Sequence, residues 1–159
     1  MLSNIDIERL AGKLDLPIVG VFSKDQLPKE RYIGSYYINL QNHDDGDGTH
    51  WCFFKIFEDR GDNDGDTPLG AIYFDSFGVA PPKEVEEFLK PFKPFPYNNR
   101  QIQDIDGEVC GWYCIYCDYY LEQMPVTKSL PTDYNNFLSI WSDDKKKNTK
   151  LLKEYFKPL

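Results

Sequence analysis

Apolar residues fall in short clusters along this chain, separated by polar, glycine- and proline-bearing stretches, and the spacing inside each cluster predicts its element. Ser3 followed by Ile5, Leu10 and Leu14 on one stripe predicts a first helix ending near Leu14, with Ser3 as its N-cap. Pro17–Phe22 predicts a short extended segment, and Tyr32–Leu40, rich in β-forming residues, a strand. Trp51–Phe57 and Gly70–Phe74 predict an antiparallel hairpin closed by an acidic Gly/Asp loop. Pro81-Pro82 opens a helix of roughly Lys83–Lys90, since proline is tolerated in a first turn. Pro91, Pro94 and Pro96 then force an irregular connection before a last strand over Arg100–Ile105. Cys110–Gln123 predicts a central, nearly all-apolar helix. Pro131 and Asp133 introduce another reaching Trp141, and Ser142 or Asp143 caps a final one ending near Phe156. No internal repeat is present. Strands bracketed by helices predict an α+β fold with a central mixed, mostly antiparallel sheet flanked by helices.

Length and composition narrow the function. The 159 residues are expected to form one domain spanning 1–159, and 41% hydrophobic with 16% aromatic residues is a globular composition. A net charge of −8 and a pI near 4.7 argue against nucleic-acid binding through the overall field. Much of the acid is local, in 43–48 and 58–66, and both segments read as solvated loops, with His43 a solvated loop residue. Neither is a calcium loop: with Gly65 or Gly46 in sixth place, the loop would begin at Arg60 or Gln41 and end at Ala71 or Cys52. The N-terminal residues lack a basic, then apolar, export signal, and no window is apolar enough to span a bilayer. The expectation is therefore a monomer used in a reducing cytosol, with Cys52, Cys110, Cys114 and Cys117 as free thiols.

Within this frame one constellation carries chemistry. Cys110-Gly111 heads an apolar helix, where unpaired N–H groups favour an anion, and the glycine keeps a Cβ out of an approaching carbonyl's way. An ordinary thiol is only slightly ionised at neutral pH, so a nucleophile needs an activating base. The chain has two histidines, and His50 opens a buried strand. Asp75 ends the neighbouring strand and can meet His50 to hold the ring, while Ser76-Phe77-Gly78 turns the chain away. An oxyanion donor is offered by Gln101 or Gln103, which share one face of a strand, so spacing alone does not choose between them.

At these residues the sequence resembles the adenain family, the adenovirus maturation proteases and their small relatives in virophages and polinton-like elements. The family pattern of Gly-x-His-Trp, Phe-(Asp/Glu)-x-Phe-Gly and Gln-x6-Cys-Gly reads here as Gly48-Thr49-His50-Trp51, Phe74-Asp75-Ser76-Phe77-Gly78, and Gln103 through Cys110-Gly111. Weaker similarity covers Val19–Lys24, Tyr36–Leu40 and the last helices. The resemblance implies His50 as general base, Asp75 as its orienting acid, Cys110 as nucleophile and Gln103 as oxyanion donor. It further implies a thiol endopeptidase that cuts viral capsid or precursor proteins beside glycine, in the virion and host-cell cytoplasm. No metal or cofactor is implied, although adenain takes an activating peptide. Adenain has glutamate at the Asp75 position, and its peptide-binding cysteine matches none of Cys52, Cys114 or Cys117 in an evident way.

Other readings use the same residues. A SUMO- or ubiquitin-like isopeptidase shares the triad and cleaves after glycine, and a catalytically inactive binding module could keep the fold. Cys110, Cys114 and Cys117 share a helix face and with a histidine would spell a zinc site, but structural zinc cysteines come in pairs on turns. A thioredoxin-like Cys114-x-x-Cys117 would have to open its helix, which it does not. Lys145-Lys146-Lys147 reads as a solvated face.

Overall fold

The computed structural model describes residues 1–41, 50–58, 69–104, 108–123 and 130–157. Its elements run α1 (Asn4–Lys13), β1 (Ile18–Ser23), β2 (Gly34–Asn39), β3 (Trp51–Glu58), β4 (Leu69–Phe74) and α2 (Lys83–Phe88). A 3₁₀ turn (Lys90–Phe92), α3 (Cys110–Gln123), α4 (Leu130–Ser139) and α5 (Lys145–Phe156) follow. The class is α+β. One four-stranded mixed sheet has the order β1-β2-β3-β4, with β1 parallel to β2 and the other pairs antiparallel. No described helix is long and apolar enough to cross a membrane.

The sheet is covered on both faces because alternate residues of β3 are apolar in both directions. Phe53 and Phe57 join a core with α1, α3, α4 and α5, whereas Cys52, Phe54 and Ile56 join a second core under α2. One charged residue interrupts the first face. Lys55, 4% exposed, donates to Asp118 of α3 at 2.9 Å, to Ser35 at 3.2 Å, and to Glu122. Asp118 also accepts from Ser35 at 2.8 Å and from Tyr37 at 2.7 Å. A buried charge is tolerated only when paired and hydrogen-bonded, and this network meets that condition while pinning α3 to the strands.

Several details depart from the sequence expectation. On α1, Ile5 is exposed, and Ile7, Leu10 and Ala11 form the buried stripe. Ser3 does cap that helix, in a reciprocal box with Asp6. The last helix is capped by Asp144, which accepts from the Lys147 N–H, and not by Ser142 or Asp143. Arg100–Ile105 supplies no strand over its described part, 100–104. The Ile102 and Gln103 N–H groups both turn to the single carbonyl of Ser76, and that converging pattern cannot propagate as a ladder. Gly48-Thr49, His43 and the acidic loops lie outside the described residues, apart from Glu58, which is exposed.

Candidate active site

His50 immediately precedes β3, and Asp75 immediately follows β4. Continuing the Phe53–Phe74 register past the ladder's end sets Cys52 opposite Asp75, with His50 on the same face as Cys52. From there His50 Nε2 donates to Asp75 Oδ1 at 2.7 Å. Both residues are buried, His50 at 8% exposure and Asp75 at 1%.

The turn after β4 fixes the carboxylate. Asp75 Oδ1 also accepts from the Phe77 N–H at 2.8 Å, and the Asp75 carbonyl accepts from Gly78 N–H at 2.8 Å. Gly78 has φ +72°, and a Cβ there would stand 2.6 Å from the Arg100 carbonyl carbon. Only glycine suits that conformation and that approach. Asn98 closes the other side: its Oδ1 accepts from Asp75 N–H at 3.0 Å, and its Nδ2 donates to the Asp75 carbonyl at 2.5 Å. Phe77 lies over the imidazole in a stack, 4.3 Å between centroids and 15° between planes. The ring on His50 is thus that of Phe77, whereas Trp51 sits in the core with its indole N–H on the Leu2 carbonyl at 2.8 Å.

Cys110 arrives from the opposite face, in the first turn of α3. Because β4 stops at Phe74, the Trp51 backbone has no strand partner on that side among the described residues, and two sulfurs take its place. Trp51 N–H donates to Cys110 Sγ at 3.4 Å, and Cys114 Sγ donates to the Trp51 carbonyl at 3.4 Å. The start of α3 is therefore registered against the residue next to His50. Gly111 fits this contact, since a Cβ there would meet Leu2 at 3.1 Å and Trp51 at 3.3 Å. The glycine thus makes room for Leu2 and Trp51.

The electrostatics of the ring follow from these contacts. Burial opposes a charged imidazole, but the Asp75 hydrogen bond, then Cys110 and Cys52, outweigh it and push His50 up to about 12. The second ring nitrogen, Nδ1, is buried with no hydrogen bond formed. The interaction with Cys110 is accordingly looser than a closed hydrogen bond, a common state of such pairs without substrate.

Gln103 is fully buried, and its Oε1 accepts from Ser76 Oγ at 2.5 Å. With that oxygen held, the donor end of the amide is turned the other way. Gln101 is partly exposed and donates to the Gln103 carbonyl at 2.8 Å. The structure thus ties Gln103 to the turn that carries Asp75, with Gln101 bonded to the Gln103 backbone.

Three contributors escaped the sequence reading. Ser76 and Asn98 act through polar bonds to residues distant in sequence, which no local pattern records. Cys52 was legible in principle, because His50-x-Cys52 on a strand places both on one face. The ligating atoms of His50, Cys52 and Asp75 all lie within 4.8 Å of one another.

No family model matches the chain, and no curated protein does. Among solved structures it is similar to the ASFV pS273R protease, with a TM-score of 0.49 and 18% identity over 93% of this chain. The matched region spans 65% of that protease's length.

Proposed function

We propose that this protein is a cysteine protease with Cys110 as nucleophile, His50 as acid and base, Asp75 as the orienting carboxylate and Gln103 as oxyanion donor. The observation that carries the reading is the 2.7 Å His50–Asp75 bond, made through Nε2, with a buried, unbonded Nδ1 left as the ring's other working nitrogen. An imidazole so held keeps one tautomer and one orientation, the requirement of triad catalysis. In this reaction the Cys110 thiolate attacks the scissile carbonyl carbon, and charge gathers on oxygen facing Gln103 and the first-turn N–H groups of α3. The protonated ring gives its proton to the leaving amine as the carbon–nitrogen bond breaks. Water then enters, His50 takes its proton, and the thioester is hydrolysed to acid and free thiolate.

The substrate class rests on the motif resemblance: a viral capsid or other precursor protein, cut beside glycine during particle maturation. Incubation of the protein with such a precursor, in parallel with SUMO and ubiquitin conjugates, tests both halves of the proposal. The expected result is precursor cleavage beside glycine that Cys110→Ala abolishes. Cleavage confined to the conjugates would reassign the substrate, and activity surviving Cys110→Ala would remove the mechanism.

A further inference from the structure

Cys52 has no step in the proposed reaction, yet its sulfur is buried beside the His50–Asp75 pair. Three different donor types, an imidazole nitrogen, a thiol sulfur and a carboxylate oxygen, lie within 4.8 Å of one another there. A second observation points to the same spot. The Tyr73 hydroxyl is fully buried and forms no closed hydrogen bond, and the group it faces most strongly is Cys52. A buried hydroxyl without a closed hydrogen bond is costly, and a thiolate formed next to it would accept a full hydrogen bond from it.

We infer that His50, Cys52 and Asp75 form a binding site for a borderline-soft divalent metal of the zinc type, and that occupancy inhibits the protein by withdrawing His50 from Cys110. The set of one nitrogen, one sulfur and one oxygen suits Zn²⁺ rather than Mg²⁺ or Ca²⁺, which take oxygen ligands. Donors at a tetrahedral zinc stand roughly 3.4 Å apart, given bonds of about 2.0–2.3 Å. The His50–Asp75 contact, now 2.7 Å, must open by a fraction of an ångström, and the sulfur must draw inward.

The charges balance. Without metal the three groups are an imidazolium, a neutral thiol and a carboxylate, for a net charge of zero. The entering Zn²⁺ displaces one proton from the ring nitrogen and one from the Cys52 thiol. Imidazole, thiolate, carboxylate and Zn²⁺ then sum to zero again, so no net charge is buried. The inhibitory consequence rests on the protease reading, whereas metal binding itself does not.

Co²⁺ and Zn²⁺ added to the purified protein separate the two. Co²⁺ is expected to give a sulfur-to-metal charge-transfer band in the wild type and in Cys110→Ala, with no band in Cys52→Ala. Zn²⁺ is expected to inhibit cleavage, and Cys52→Ala, normalised to its own uninhibited rate, to need at least about tenfold more metal, the usual effect of losing a ligand-shell group. A band lost in Cys110→Ala and kept in Cys52→Ala would overturn the inference, because the metal would then sit on the nucleophile. Absence of any band in the wild type would overturn it as well. A band lost only in Cys52→Ala, in a protein that cleaves nothing, would leave the metal site standing and remove the protease.

Discussion

Asp75 makes the strongest demand on any single side chain, since it must keep His50 charged in a buried place where solvation is lost. Asp75→Asn removes the first of the influences that raise the ring, and burial then drives it down. The wild type is expected to show no alkaline loss of kcat/KM attributable to His50 across the neutral range. In Asp75→Asn that limb should enter between about pH 6 and 8, with kcat lower by roughly 10²–10⁴. A pH–rate profile of both proteins checks this. Gln103→Ala should lower kcat by about 10²–10³ with little change in KM, the pattern of a donor that acts only on developing charge. At this scale the placement of His50, Asp75 and Cys110 was readable because strand ends and a helix start position them predictably. The choice of Gln103 came from the resemblance, and what supports it structurally, the Ser76 hydroxyl on its oxygen, has no signature in the sequence.

Among the elements, α3 and the turn after β4 do most to assemble the site. Lys55→Met would strand Asp118 as a buried, less compensated carboxylate, and is expected to cost about 3–5 kcal/mol in chemical denaturation. Lys55→Met combined with Asp118→Leu should recover much of that loss, because an apolar pair leaves nothing unpaired. Gly78→Ala forces a left-handed residue against the Arg100 carbonyl and should destabilise by more than about 1 kcal/mol, with kcat falling as Asp75 shifts. The helices and the hairpin were legible because hydrophobic period and capping act locally: α3 runs over the residues its apolar stretch predicts. The segment 100–104 was misread as a strand for a physical reason. Its residues have strand-like composition, but the Ile102 and Gln103 N–H groups are spent on Ser76, and only the tertiary structure shows that competitor. Ile5 was misplaced on α1 because a short amphipathic helix admits two neighbouring stripes, and packing selected the one through Ile7.

Over the whole molecule, the sheet separates two cores and delivers the histidine from one face and the cysteine from the other, meeting where β4 ends. This arrangement links stability to pH. His50 stands above its unfolded value of 6.5, so its contribution is complete below that pH and is lost as the pH climbs towards about 12. Denaturation midpoints should therefore fall between about pH 6.5 and 8, and His50→Gln should flatten that slope. The central claim is that one of four buried thiols is made reactive by the ring beside it. Its most direct test is the rate and position of alkylation by iodoacetamide at neutral pH, followed by intact and peptide mass spectrometry. A single adduct on Cys110, slowed at least about 100-fold in His50→Ala, is the predicted result. Equal labelling of wild type and Cys110→Ala, or a Cys110 rate indifferent to His50→Ala, would contradict it.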